Sequence, residues 1–199
     1  MQYNTEMINE KLSANYYLTK MNEIIRITPE YIKSILDNNW SNSIKNIDID
    51  QLTSDIYNLS TEVMTLDEIY YLIADHCAGL MTFDLDYKYL ASKICTERLH
   101  KVTPESYLEV VNYLYNNKDK NGNSNPLISK SLYETVIEHH EKIQNKLNFD
   151  NDYKFDYFGT RTLERSYLFR IYNSNVNNRQ GEKSGQIIER PQHLIMRVA

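Results

Sequence analysis

Tyr-Lys-Phe-Asp-Tyr-Phe-Gly-Thr-Arg-Thr-Leu-Glu-Arg-Ser-Tyr-Leu, residues 153–168, is the densest run of aromatic, arginine and glutamate side chains in the chain. Its companion, Glu-Arg-Pro-Gln-His-Leu-Ile-Met-Arg-Val-Ala, occupies residues 189–199. Gly159 interrupts the aromatic run and predicts a short helix starting behind it. On that helix Leu163 and Tyr167 share a face, and Arg161 and Glu164 are spaced to pair at i,i+3. In the companion, Pro191 suits the first position of a helix, where its missing N–H leaves no bond unmade. Leu194, Ile195 and Val198 then recur at helical spacing, with Arg197 on another side. The sequence runs out inside this apolar helix, so the expectation is an end that frays or sticks when uncovered.

The segment before residue 153 reads as mostly helical. Residues 1–14 are polar and read as a flexible or weakly helical extension. Residues 16–27 suggest two short strands, with Asn22 near the turn because its side chain tolerates positive φ. Thr28 followed by Pro29 is a helix start, and Ile32, Ile35 and Leu36 form the stripe that this helix buries. A polar connector, residues 38–46, carries the single tryptophan, Trp40. A second helix is predicted after Asp48, with Leu52, Ile56 and Leu59 on one face, and residues 61–65 read as a break. Thr65 caps a third helix whose first turn holds Asp67 and Glu68, acids that complement the helix dipole. Ile69, Leu72, Ile73 and Leu80 are its inward side chains. A fourth helix spans about Asp84 to Lys101, burying Tyr87, Leu90, Ala91, Ile94 and Leu99. Pro104 opens a further helix to about Asn117, a solvent loop covers 118–125, and 126–147 carries one or two more helices. Residues 150–152 form a turn. Residues 172–188 form a hairpin whose tip, 173–185, is rich in Asn, Gly and charge.

Composition bounds the function. The 199 residues suffice for a sizeable core, and 41% hydrophobic with 25% charged residues is ordinary for a soluble globular protein. A net charge of −5 argues against a general nucleic-acid binder, which would carry a basic face. No apolar run approaches the ~20 residues of a membrane span, and residues 1–11 lack a signal-peptide pattern. Cys77 and Cys95 define no disulfide framework and fit a reducing, cytoplasmic compartment.

The two blocks resemble the segment of the class I ribonucleotide reductase large subunit that leads into its catalytic barrel. The family pattern is approximately Tyr-Phe-Gly-x-Lys/Arg-Thr-Leu-Glu-Arg-Ser-Tyr-Leu, a hairpin, then Glu-Arg-Pro-Gln-His-x-x-Met-Arg-Val. Residues 157–168 and 189–198 match it through Tyr157, Phe158, Gly159, Arg161, Thr162, Leu163, Glu164, Tyr167, Arg190, Pro191, Gln192 and His193. The strand pair and four amphipathic helices before them are similar in order to an ATP-cone, the regulatory module of such subunits. The resemblance implies a mainly α chain. It comprises an extension (1–14), an ATP-cone-like helical domain with a short N-terminal β-hairpin (15–102), and a helical segment and hairpin (103–199). The last part leads into an α/β barrel that lies outside the chain.

By the same resemblance, the parent enzyme reduces ribonucleotides to deoxyribonucleotides by radical chemistry. Its partners would be the reductase small subunit, a second large subunit and the remaining barrel. The family's effector is ATP or dATP, and the positions that match its contacts are Lys20, Asn22, Thr65 and Lys101. Thr19 and Met21 depart from the family's basic and acidic turn residues, so two outcomes stand open. One is a competent effector site, and the other is a cone that keeps its shape without ATP. Neither cysteine matches a reductase thiol, so the 199 residues alone are expected to be inactive. The other reading is a non-catalytic nucleotide-binding or subunit-interaction module. His139 and His140 face different ways on a helix, and His76 beside Cys77 has no further ligand at metal spacing. His193 reads as a helix-fixing residue. Arg161, Glu164, Arg165 and Arg190 could line a substrate or subunit surface, and read more readily as an ion-pair network holding the segment to the barrel.

Overall fold

The computed structural model describes residues 23–39, 47–119, 121–171 and 185–199. The main core is built by four helices: α1 (Pro29–Asn39), α2 (Ile49–Leu59), α3 (Leu66–Leu80) and α4 (Asp86–Val102). Each begins where side-chain chemistry favours it. Thr28 Oγ1 accepts the Tyr31 N–H at 3.2 Å, and the Asp48 carboxylate accepts the Asp50 and Gln51 N–H groups at 3.0 Å. Thr65 and Glu68 form a reciprocal capping box, which satisfies two otherwise orphan donors. The inward stripes then meet. Ile32, Ile35, Leu36, Leu52, Ile56, Ile69, Ile73, Leu90 and Ile94 form one continuous core with Cys77 and Cys95.

The structure corrects the expected loop before α3. Val63–Thr65 is a strand, β2, paired antiparallel with β1 (Ile24–Arg26) in the register Ile24–Thr65, Ile25–Met64 and Arg26–Val63. Three residues give too short a run for alternation to be read, and the pairing is long-range. The first strand of the expected hairpin, with Lys20 and Asn22, lies outside the described residues. Leu59 is exposed rather than inward, because α2 ends there and Ser60 closes it.

The second half wraps the first. Helix α5 (Tyr107–Tyr115) starts at Ser106 rather than Pro104, since the Ser106 hydroxyl accepts the Glu109 N–H at 3.3 Å. Helix α6 (Lys130–Gln144) starts at Ser129 and leaves helical geometry at His139. A 3-10 turn (Phe149–Lys154) leads to α7 (Tyr157–Ser166). Strands β3 (Arg170–Ile171) and β4 (Gln186–Ile187) pair antiparallel as the expected hairpin, most of whose tip is outside the described residues. Helix α8 (Pro191–Val198) follows, with Pro191 in its first turn. Tyr157 of α7 is part of the main core, so the hydrophobic cluster crosses the sequence boundary at residue 102. Among the described residues, no helix is long and apolar enough to cross a membrane.

Candidate functional site

Helix α7 starts two residues before Gly159. Asp156 is its cap, and the Asp156 carboxylate accepts the Gly159 N–H at 2.7 Å. Gly159 therefore lies inside the first turn, where a Cβ would sit 3.1 Å from Asp156 Oδ1. It permits the cap to close rather than breaking the chain. Lys88 of α4 pairs with the same Asp156 at 3.2 Å, the Tyr157 hydroxyl donates to Asp75 of α3, and Ser92 of α4 donates to the Phe155 carbonyl. These contacts lay α7 across α3 and α4.

The centre of that crossing is charged. Glu164 is 2% exposed and accepts from Arg98, from Arg161 at 3.0 Å and from the Tyr71 hydroxyl at 3.1 Å. Arg98, 1% exposed, reaches Asp67 at 2.6 Å with its other branch. The guanidinium groups of Arg98 and Arg161 lie 4.0 and 4.3 Å from the Tyr71 ring centroid. Two cations and two carboxylates thus compensate one another around one aromatic ring, the condition for burying charge without neutralising it. Burial alone would lower the Arg98 pKa, but Glu164 and then Asp67 raise it above its ordinary value. The expected i,i+3 pair, Arg161 with Glu164, is present. Its partners among the described residues are on α3 and α4, so the network ties this segment to the helical core. Arg165, Phe158 and Tyr167 are exposed, as is Thr162, which bonds the Phe158 carbonyl; Leu163 packs against Leu99 and Leu168. Tyr167 therefore does not share a buried face with Leu163; it caps the C-terminus of α7 instead.

The companion block is anchored by backbone recognition. Arg190 donates to Thr103 Oγ1 at 3.2 Å and to the carbonyls of His100 and Thr103, and it covers the Phe149 ring. His193 Nδ1 accepts the Arg190 N–H at 3.2 Å, which leaves Nε2 to donate to the Glu105 carbonyl at 3.2 Å. That pattern requires the neutral ring. Burial, then the neighbouring Arg190 charge, holds the His193 pKa down to about 3. The Gln192 N–H binds Asp152, whose other oxygen faces His100 Nε2 at 2.8 Å. Glu189 is fully buried against Arg197 at 2.7 Å and the Phe169 N–H at 2.8 Å. On α8, Leu194 packs inward while Ile195 and Val198 are exposed.

The effector candidates fare differently. Lys20 and Asn22 lie outside the described residues. Thr65 and Lys101 lie at the same end of the α3–α4 pair, because Tyr70, one turn beyond Thr65, faces Lys101 with 5.9 Å between Nζ and the ring centroid. The Thr65 side chain is engaged by Glu68, and Lys101 Nζ is held 3.1 Å from Glu97. Glu97 also accepts from the Tyr70 hydroxyl at 3.0 Å and from Asn39 Nδ2. A polar cavity of about 540 Å³ opens beside it, lined by Asn38, Asn39, Lys93, Glu97, Asp150 and Tyr153.

Sequence reasoning missed Arg98, Tyr71, Asp67, Glu97, Asp152 and Glu189. For Arg98 a signal existed: it falls four residues after Ile94 and seven after Ala91, on the apolar stripe of α4. Among the described residues, no group of three His, Cys, Asp or Glu side chains is placed to hold a metal. Burial pushes both thiols up to about 12, so neither forms a thiolate near neutrality.

No family model matches the chain. Individual proteins do match it. It is 37% identical over 153 residues to a ribonucleoside-diphosphate reductase large subunit of Plasmodium falciparum (isolate Dd2), covering 77% of this chain and 18% of that protein. The large chain of Cryptosporidium parvum gives the same identity and coverage. The large subunit of Acanthamoeba polyphaga mimivirus is 33% identical over 184 residues, 92% of this chain and 20% of that protein. The chain belongs with the ribonucleoside-diphosphate reductase large subunits, as a counterpart of their N-terminal region. It spans about a fifth of the length of the curated relatives it matches. In reductase terms, the buried joint around Glu164 and the Arg190–His193 anchor are the two sequence blocks that carried the resemblance.

Proposed function

We propose that this chain works as the N-terminal portion of a ribonucleoside-diphosphate reductase large chain, in the formation of deoxyribonucleotides. The observation that carries the reading is similarity to large subunits over most of the chain, at 33–37% identity. In this reading the 199 residues supply a helical platform, and the radical-forming thiols come from elsewhere in the large chain. The burial of Cys77 and Cys95, with both thiols raised to about 12, supports that division of labour. Its partners are the remaining barrel segment, a second large subunit and the small subunit that supplies the radical. The compartment is the cytoplasm, where thiols stay reduced. The test is turnover: the 199-residue chain, given small subunit, ribonucleoside diphosphates and a dithiol reductant, makes no deoxyribonucleotide. Turnover that disappears in Cys77→Ser or Cys95→Ser would overturn the reading.

We further propose that the ATP-cone-like domain (residues 15–102) acts by shape, without holding ATP or dATP at the end of α3 and α4. What supports this is the engagement of Thr65 in the capping box and of Lys101 by Glu97. A triphosphate needs several free donors acting together, and a carboxylate beside the lysine repels it. Calorimetric titration with ATP and with dATP tests it, with no saturable heat expected.

A further inference from the structure

The turn between α3 and α4 carries Phe83-Asp84-Leu85-Asp86, an alternation of apolar and acidic side chains. Phe83 is 83% exposed, the most exposed large hydrophobic side chain among the described residues, and Leu85 is 67% exposed. Backbone bonds fix the turn: the Phe83 N–H reaches the Leu80 carbonyl at 2.9 Å, and the Lys88 N–H reaches the Leu85 carbonyl at 3.0 Å. The Asp84 carboxylate accepts the Asp86 N–H at 2.8 Å. Leu85 has helical backbone geometry, so Tyr89, four residues on and itself exposed, continues the same face. A single exposed apolar side chain is ordinary, whereas a row of three along one ordered edge marks a contact surface.

The charge beside this row has one sign. Burial, then Cys77 and the carboxylates of Asp55, Asp84 and Asp48, raise the Tyr87 pKa above its ordinary value, so the acids at α2 and in the turn act on one place. Asp48 and Asp84 accept backbone N–H groups and Asp55 accepts the Gln51 side chain; among the described residues none of the three faces a cation. The nearby lysines are engaged elsewhere: Lys33 pairs with Asp50 at 2.6 Å and Lys88 with Asp156 at 3.2 Å. We propose that Phe83, Leu85 and Tyr89, with the carboxylates of Asp48, Asp55 and Asp84, dock a basic amphipathic helix of a partner protein. The apolar stripe of that helix covers the three side chains, and its lysines or arginines meet the carboxylates. The surface lies at the start of α4, at the opposite end from Lys101, and is independent of how the domain treats nucleotide.

The experiment is a titration of the full chain into a short fluorescent peptide of lysine and leucine at helical spacing, followed by polarisation. A second peptide carries glutamate in place of lysine on the same apolar pattern. The lysine peptide is expected to bind saturably and the glutamate peptide not at all. Phe83→Ser with Leu85→Ser is expected to weaken binding about tenfold, as losing an anchor does. Asp55→Asn with Asp84→Asn keeps the hydrogen-bond acceptors while removing charge, and is expected to weaken binding and flatten its salt dependence. The substituted side chains are at the surface, circular dichroism reports the fold, and Phe83→Ser alone, at the most exposed position, repeats the test with the least disturbance. Absence of saturable binding, equal binding of the two peptides, or binding indifferent to Phe83→Ser with Leu85→Ser would overturn the proposal. Self-association of the wild-type chain in sedimentation, removed by the same pair of substitutions, would give the surface to a second copy and overturn it too.

Discussion

At the scale of single residues, the buried charges carry the most weight. Removing Arg98 leaves the buried Glu164 and the partly exposed Asp67 without their shared cation. Arg98→Met is therefore expected to cost about 3–5 kcal/mol in denaturant unfolding, the range for breaking one side of a buried pair. Combining it with Glu164→Gln should recover about 0.5–3 kcal/mol of coupling; simple additivity would place the two residues in separate networks. His193 makes a pH prediction. Its folded pKa of about 3 lies below the ordinary ~6.5 of an unfolded histidine. Above pH ~6.5 both states are neutral and the full stability is present. As the pH falls from there toward 3, the unfolded state takes up the proton first and stability declines, by at most about 1.4 kcal/mol per pH unit. Urea melts at pH 7 and pH 5 should show this slope in the wild type and a flatter one in His193→Asn. Equal slopes would mean that the ring is already charged when folded. Thr65→Ala should remove about 1 kcal/mol through the lost cap, a smaller effect than that at Arg98. Of these residues, Thr65, Arg161 and Glu164 were legible from spacing. Arg98 sits on the apolar stripe of α4, but its role and that of Asp67 were not legible, because a charged side chain is read as solvent-facing until its partner, distant in sequence, is known.

At the scale of elements, helices with chemical punctuation were the readable ones. Thr28-Pro29, Asp48 and Thr65 announce α1, α2 and α3, and Pro191 announces α8. Where two signals competed, the capping hydroxyl won: Ser106 starts α5 although Pro104 precedes it. Gly159 misled because a glycine inside a helical turn looks like a break, whereas its role is to leave room beside Asp156. Strand β2 escaped notice because it is three residues long and its partner lies some forty positions earlier. The β3–β4 pair depends on another close approach. A Cβ on Gly185 would meet the Ile171 carbonyl oxygen at 2.7 Å, a backbone atom that cannot step aside. Gly185→Ala should force the strands apart and destabilise the chain by about 1–3 kcal/mol, as overpacking does. A thermal melt unchanged from the wild type would show that the pair tolerates the shift.

At the scale of the whole molecule, α4 joins the parts. Its buried stripe fills the main core, Arg98 receives Glu164 from α7, its C-terminal carbonyls receive Arg190, and Glu97 with Lys101 closes its outer end. The family resemblance was legible from two short blocks because those blocks make the contacts that hold the second half of the chain to the first. What the blocks could not reveal was the convergence of Asn39, Tyr70 and Lys101, from three helices, on the Glu97 carboxylate. The reading proposed for residues 15–102 is a helical domain that keeps its shape without holding nucleotide, with Lys101 held by Glu97 and Thr65 by Glu68. Equilibrium dialysis of the wild-type chain against radiolabelled dATP decides it. No saturable retention of dATP is expected; saturable retention that Lys101→Ala abolishes would overturn the reading.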